Sequence, residues 1–165
     1  MHPSVLQFIR YEVAALNLSE CSVLEVGSLN VNGSARQFFT GLYKGVDMRP
    51  GPGVDEVVNA HDLTGMYDVP EAGWDVIVCT EMLEHDDAPW LSLRQMHRVC
   101  ATEGHLLLTC RGFDGRGCFP IHEHPKDYWR FSVDGIEAML LQTEWMPLSL
   151  KPDPEAPGVF AVATK

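Results

Sequence analysis

The stretch "VLEVGSLNVNGSARQFF", residues 23–39, joins three unlike textures. An apolar run ends in Glu25 and Gly27, a polar turn with Asn32 and Gly33 follows, and residues 33–40 then read as a helix. A strand that passes through a Gly-containing turn into a helix aims backbone N–H groups into the crevice above a sheet, where a ligand can approach the main chain closely.

The same alternation continues outward. "SVLEVG" (22–27), "YKGVDM" (43–48), "VDEVVN" (54–59), "WDVIVC" (74–79) and "GHLLLTC" (104–110) are short, β-rich and bounded by turn residues. Apolar runs such as "VIVC" and "LLLT" suit central strands of a parallel sheet, covered on both faces. Helical patterns fall at 33–40, 88–101 and 132–142, and in the second of these Trp90, Leu93, Met96 (or His97) and Cys100 recur at helical spacing. The pattern predicts an α/β fold: a Rossmann-like, mostly parallel sheet with right-handed crossovers and helices on both faces. "EWMPLSLK" (144–151) and "GVFAVATK" (158–165) are separated only by "PDPEAP", too short for a helical crossover, so the sheet should end in an antiparallel C-terminal hairpin. Between "GVDM" and "VDEVV" the chain is also too short for a usual crossover, so either a helix is lost there or a strand is misread.

Ahead of this lies "MHPSVLQFIRYEVAAL", read as a first helix over residues 1–19, with Ser4 as cap, Gln7 completing a capping box, and Leu6, Ile9, Val13 and Leu16 on one face. It has neither the basic start nor the apolar segment of a signal peptide. The 165 residues suit a single domain, with residues 20–165 as its core. No apolar run approaches the roughly 20 residues that span a bilayer. Five cysteines without a CxxC pair fit a reducing, cytoplasmic compartment: Cys21, Cys79, Cys100 and Cys110 read as buried thiols and Cys118 as a loop thiol. A net charge of −11 argues against bulk nucleic acid as a partner. Locally, Arg111, Arg116, Lys126 and Arg130 cluster in one stretch that could meet a small anionic group.

Asp47, twenty residues past Gly27 at the end of the next strand, is placed to accept hydrogen bonds from ribose hydroxyls. Asp62, in "NAHDL", could bond an adenine amino group, with Leu63 against the ring. The alternative for each is a turn-former or a cap. Dinucleotides and S-adenosylmethionine both use such a frame. The G-x-G-x-x-G fingerprint of a dinucleotide site is missing, because Gly27 is followed by five other residues before Gly33. Glu25 is a poor neighbour for pyrophosphate and a suitable one for a cationic sulfonium ligand with an amino group.

Taken in order, "VLEVGS…NGS", "YKGVDM", "NAHDL", "WDVIVCTEMLEH" and "GHLLLTC" resemble the successive motifs of class I S-adenosylmethionine-dependent methyltransferases, most closely the small type 11 methyltransferase domains of bacteria and phages. The resemblance covers about residues 20–165 and departs in the glycine loop, in the missing second helix and in the lack of an inserted lid, so a second subunit could complete the pocket. It implies that Glu25, Gly27, Ser28, Asn32, Gly33, Asp47, Met48, Asp62, Leu63 and Thr80 line the cofactor.

At the end of the fourth strand, "CTEMLEHDD" spaces Glu81, Glu84 and His85 at i, i+3, i+4, so a helical turn would place them on one face. After the fifth strand, "IHEHPKDYWRFS" adds His122 and His124. Carboxylates and imidazoles converging over a sheet would suit Mg²⁺, Mn²⁺, Fe²⁺ or Zn²⁺. This resembles two groups of metal-assisted O-methyltransferases, the ubiquinone-pathway catechol enzymes and the plant small-RNA 2′-O-methyltransferases. Their E-x-x-E-H element and later His would correspond here to Glu81, Glu84, His85 and His122 or His124. Without a metal, His85, His122 or His124 would act as general base, with Glu81 beside them. Tyr128 and Trp129 could wall a sugar or aromatic ring, and Arg130 could hold an anionic group; alternatively Trp129 and Phe131 are core residues.

The expected function is methyl transfer from S-adenosylmethionine to oxygen on a small molecule: a sugar, nucleotide-sugar or catechol hydroxyl. N- or C-methylation, including of a nucleobase, is the alternative within that chemistry. An NAD(P)-dependent oxidoreductase and a non-catalytic cofactor-binding module are the alternatives from other classes.

Overall fold

The computed structural model describes residues 2–122 and 126–165. Among these residues nine strands form: β1 (Val23–Val26), β2 (Tyr43–Asp47), β3 (Glu56–Val57), β4 (Trp74–Thr80), β5 (Cys100–Arg111), β6 (Phe113–Asp114), β7 (Gly117–Cys118), β8 (Met146–Pro152) and β9 (Gly158–Thr164). Three α-helices accompany them: α1 (Pro3–Ala15), α2 (Pro89–Val99) and α3 (Val133–Gln142). Seven strands make one sheet in the order β3-β2-β1-β4-β5-β9-β8, and β6 and β7 pair as a separate small ribbon. Neighbours from β3 to β5 run parallel, and β9 is antiparallel to both β5 and β8. The expected parallel sheet and terminal hairpin are both present.

Period-2 alternation divides the core between two faces. On one, Val23, Val76, Val78, Leu107, Phe160 and Val162 pack under Val5, Phe8, Ile9 and Val13 of α1. On the other, Leu24, Val26, Ile77, Cys79, Leu106 and Leu108 meet Leu93 and Met96 of α2 and Ile136 and Leu140 of α3. Trp145 ties α3 to α2 by donating its indole N–H to the Leu93 carbonyl at 3.0 Å. Ser132 caps α3, accepting from the Gly135 N–H at 3.0 Å. Among the described residues, no helix is long and apolar enough to cross a membrane.

Several expectations are corrected. Residues 33–40 do not form an α-helix; only one 3-10 turn, Ala35–Phe38, is present. The chain from β2 to β3 carries no helix, so the short spacing there reflects a lost helix and not a misread strand. This crossover hugs β2 so closely that a Cβ on Gly45 would lie 2.3 Å from the Gly53 carbonyl oxygen. Ser4 does not cap α1, whose N-cap is His2; it is buried and donates its hydroxyl to Asp153 Oδ2 at 3.2 Å. Trp90 is not on the buried stripe of α2: it is exposed and meets the ring of Trp129 edge-on at 6.2 Å. All five cysteines are free, with Cys79, Cys100 and Cys110 buried and Cys118 exposed.

Candidate active site

The order of strands reverses between β1 and β4, and in a parallel sheet the crevice outside the carboxyl ends of two such strands is where ligands settle. The C-terminal ends of β1, β2, β4 and β5 deliver Gly27, Asp47, Glu81 and the chain after Arg111 to this edge.

Gly27 leaves β1 with φ +81°, a conformation that favours glycine, and an added Cβ would meet Met82 Cγ at 2.7 Å. The N–H groups of residues 27–30 and of Gly33 are spent internally. Gly27 and Ser28 donate to the Val46 carbonyl at 2.9 and 3.0 Å, and Asn30 donates to the Pro52 carbonyl at 2.8 Å. Leu29 donates to Asp47 Oδ2 at 3.3 Å and Gly33 to Asn30 Oδ1 at 2.9 Å. The expected presentation of N–H groups at a helix start is therefore not what the chain builds. The lost β2–β3 helix explains part of this, since the tight crossover supplies the Pro52 carbonyl.

Glu25 is buried beside this loop and accepts from the Tyr43 hydroxyl at 2.9 Å. Burial pushes its carboxyl up to about 7, against the lowering effects of Tyr43, Arg36 and the Ala35 amide. Asp47 accepts from Leu29 and from Arg49, the latter at 3.0 Å, and remains partly exposed. Asp62, Met48 and Asn32 are exposed, Thr80 closes β4, and Ser28 is buried with its hydroxyl unpaired among the described residues. Leu63 is fully buried in the core, so its side chain is not offered to a ring.

The β4 end departs from the expected single face. Glu81 adopts φ +55°, and only Leu83–His85 form a 3-10 turn. The Glu81 carboxylate is consumed by Arg111, with Nη2 to Oε1 at 2.7 Å and Nε to Oε2 at 2.5 Å, while Thr109 donates to Oε1 at 3.0 Å. Glu81 is turned to Arg111 and does not join the nearby cluster of possible ligands among the described residues. That cluster is Glu84, His85 and His122, whose candidate donor atoms lie within 4.8 Å of one another; His61, Asp86 and Asp87 form a second one. His124 lies outside the described residues.

Glu84 is fully buried, and neither carboxyl oxygen makes a hydrogen bond with the described residues. Burial, then the Glu81 carboxylate, raise it to about 8; the nearby amides of Glu84 and Arg111 only partly offset this. His85 gives its Nδ1 to the Lys126 carbonyl, and burial lowers its pKa. The rings of His85 and His122 stand nearly perpendicular, 4.8 Å apart. His122 Nδ1 lies 3.2 Å from Asp127 Oδ2, and its main-chain N–H donates to the same oxygen at 2.7 Å. Asp127 is forked by Arg130, which, with burial opposing, holds its carboxyl down at about 2.

Arg130 is therefore not free to hold an anion. Nε donates to the Phe119 carbonyl, Nη1 to Asp127 and the Trp129 carbonyl, and Nη2 to the Pro120 carbonyl and Asp127. Arg111 pairs with Glu81 and Asp153, and Arg116 with Asp114. Of the four basic residues in this stretch, only Lys126 has no carboxylate partner among the described residues. Tyr128 and Trp129 are exposed beside the site, anchored by their N–H groups to the Glu84 carbonyl at 2.7 and 3.3 Å. The Trp129 indole N–H donates to the Asp86 carbonyl at 2.8 Å. Sequence reading missed the structural roles of Arg111 and Asp127. The Asp127–Arg130 spacing of i, i+3 was the one available hint for the second.

No protein-family model matches the sequence, and no curated protein matches it. Solved structures do share its fold. The 1,6-didemethyltoxoflavin-N1-methyltransferase of Burkholderia thailandensis, solved with 1,6-didemethyltoxoflavin and S-adenosylhomocysteine, aligns over 98% of this chain and 78% of its own, at 18% identity and a TM-score of 0.76. An S-adenosylmethionine-dependent methyltransferase from Aquifex aeolicus aligns over 99% and 93%, at 13% identity and 0.70. The magnesium protoporphyrin IX methyltransferase of Synechocystis, solved with S-adenosylmethionine, aligns over 98% and 77%, at 12% identity and 0.67. The chain has the seven-stranded Rossmann-like fold that these methyltransferases share.

Proposed function

We propose that this protein is an S-adenosylmethionine-dependent methyltransferase acting on a hydroxyl oxygen of a small molecule, with a divalent metal held by Glu84, His85 and His122. One observation carries the choice of cofactor. The loop after β1 has spent its N–H groups at residues 27–30 internally and lies beside the buried carboxyl of Glu25. Such a loop has little to offer a pyrophosphate. It suits a ligand carrying an ammonium and a sulfonium, because the amides of residues 27–30 are bonded and the buried Glu25 carboxyl lies beside them.

When bound, S-adenosylmethionine supplies an electrophilic methyl group on a positive sulfur. Asp47 would accept the ribose hydroxyls with the lone pairs that Leu29 and Arg49 leave free. Asp62, exposed at the next strand end, is the acceptor available to an adenine amino group.

Glu84, His85 and His122 have the chemistry to hold a divalent ion. A fully buried carboxyl without a hydrogen-bond partner is costly unless something completes it. His85 has Nδ1 bonded to the Lys126 carbonyl, which leaves its Nε2 as the free nitrogen, and the His122 ring lies beside it. Two imidazoles and one carboxylate suit Mn²⁺, Fe²⁺ or Zn²⁺ better than Mg²⁺. A bound divalent ion would lower the pKa of an acceptor hydroxyl and fix its direction. Tyr128 and Trp129 supply flat walls beside this group. With three of the four nearby cations paired, a neutral sugar or catechol fits better than an acceptor held by its phosphate.

The test is release of S-adenosylhomocysteine from S-adenosylmethionine with a panel of catechols and sugars, before and after EDTA and after add-back of Mn²⁺ or Zn²⁺. Activity lost to EDTA and restored by metal supports the proposal. Full activity in EDTA removes the metal and leaves a histidine as general base. Turnover only with amine or carbon acceptors removes the oxygen assignment.

A further inference from the structure

We infer that the hydrogen bond between His61 and Asp86 is a latch: it sets the turn after β3 before any cofactor arrives and so presents Asp62 to the amino group of adenine. His61 and Asp86 are thus positioning residues. The inference rests on the reading of Asp62 as the acceptor for that amino group.

The turn is built from "NAHDL". Asn59 starts it: its side-chain oxygen accepts from the His61 N–H at 2.9 Å, and its carbonyl accepts from the Asp62 N–H at 2.8 Å. At Asp62 the helical path breaks, with φ −143° and ψ 55°. Helical hydrogen bonding therefore does not settle where Asp62 points, and its two neighbours do. Leu63 is fully buried in the core shared with α2. His61 reaches the loop after β4 and donates from Nε2 to Asp86 Oδ1 at 2.7 Å. Between these anchors the Asp62 carboxylate folds over Gly65, where an added Cβ would lie 3.3 Å from Oδ2. Asp62 stays exposed.

Asp86 can hold the turn because it is itself held. Its side chain is buried; Oδ2 accepts from the Ser92 hydroxyl at 2.5 Å, and Oδ1 also accepts from the Ala88 N–H at 2.9 Å. Its main-chain N–H donates to the Leu83 carbonyl at 3.2 Å, and its carbonyl accepts from the Trp129 indole at 2.8 Å. A carboxylate fixed on this many sides does not follow a moving partner. The two loops it joins belong to β3 and β4, with β2 and β1 between them in the sheet, so the bond spans the carboxyl edge beside the crevice. An acceptor already in place spares the ligand the ordering entropy of gathering it. The direct bond also makes His61 and Asp86 a closed pair, not an open set of ligands.

The test compares, by calorimetry on the full chain, S-adenosylhomocysteine with its 6-deamino analogue, in which purine replaces adenine. The wild type should prefer S-adenosylhomocysteine about ten- to a hundredfold, the worth of hydrogen bonds to a charged acceptor. His61→Phe keeps a ring and removes the donor, and should lose most of that preference while binding the analogue as the wild type does. His61→Gln keeps a donor and should restore the preference. Equal weakening of both ligands in His61→Phe marks a merely structural role and overturns the inference. So does the full preference kept in a His61→Phe protein with native circular dichroism. Asp62→Ala separates the two readings. A preference lost in Asp62→Ala but kept in His61→Phe removes the latch alone, whereas a wild type with no preference removes Asp62 from the adenine and the latch's role with it. Hydrogen exchange of the ligand-free wild type decides without any variant. The segment 59–66 should already be protected and should change little when S-adenosylhomocysteine is added. A segment that exchanges freely until the ligand is added overturns the inference.

Discussion

Glu25 is buried beside the loop proposed to hold the cofactor, and its burial makes stability depend on pH. Its carboxyl titrates near 7 in the folded chain because burial disfavours the charge. In the unfolded chain it would titrate near the ordinary value of about 4.3. Between those values the folded state holds the extra proton, so stability should fall as pH rises from about 4.5 to about 7, by roughly 3 kcal/mol in total. Urea unfolding at a series of pH values should show that slope on top of one of the same sign from Glu84, whose carboxyl is raised to about 8, and Glu25→Gln should make the total slope shallower below about pH 7. The same variant should bind S-adenosylhomocysteine more weakly at pH 8, where the wild-type carboxylate is ionised. Asp47 acts differently, as an acceptor already aligned by the Leu29 and Arg49 amides. Asp47→Ala should lose charge-assisted bonds of about 1.5–3 kcal/mol, which is roughly a tenfold or greater loss of S-adenosylhomocysteine affinity by calorimetry.

At the scale of elements, the β2–β3 crossover is the departure with the widest consequence. It lies against Gly45, whose Cβ, if present, would meet the Gly53 carbonyl at 2.3 Å and Ser28 Oγ at 2.8 Å. Gly45→Ala should therefore force the crossover and the glycine loop apart. The expected cost is about 1–3 kcal/mol in chemical denaturation, with weakened cofactor binding. The sheet was legible in the sequence because apolar runs such as "VIVC" and "LLLT" carry their own periodicity, and because "PDPEAP" is too short for anything but a hairpin. The loss of the helix after β2 was visible as a spacing problem. The one-turn element at Ala35–Phe38 was not, because its local pattern suits a helix and only its packing under the sheet decides the length. At the β4 end the spacing of Glu81, Glu84 and His85 suggested a shared face. The left-handed φ of Glu81 and its capture by Arg111 broke that face, and both depend on a strand thirty residues away.

For the molecule as a whole, charge and topology point the same way. With a net charge of −11 and its local arginines paired, the protein should show no steeply salt-dependent binding to duplex DNA. Fluorescence anisotropy with a labelled duplex at low and physiological salt would check this, and a complex that weakens sharply with salt would contradict it. The crevice between β1 and β4 is proposed to bind S-adenosylmethionine and not a dinucleotide. The most direct measurement is calorimetric titration of the full chain with S-adenosylhomocysteine and, separately, with NADH and NADPH. The expected result is saturable one-to-one binding of S-adenosylhomocysteine, weakened by Asp47→Ala, and no binding of either dinucleotide. Binding of a dinucleotide with no response to S-adenosylhomocysteine would contradict it.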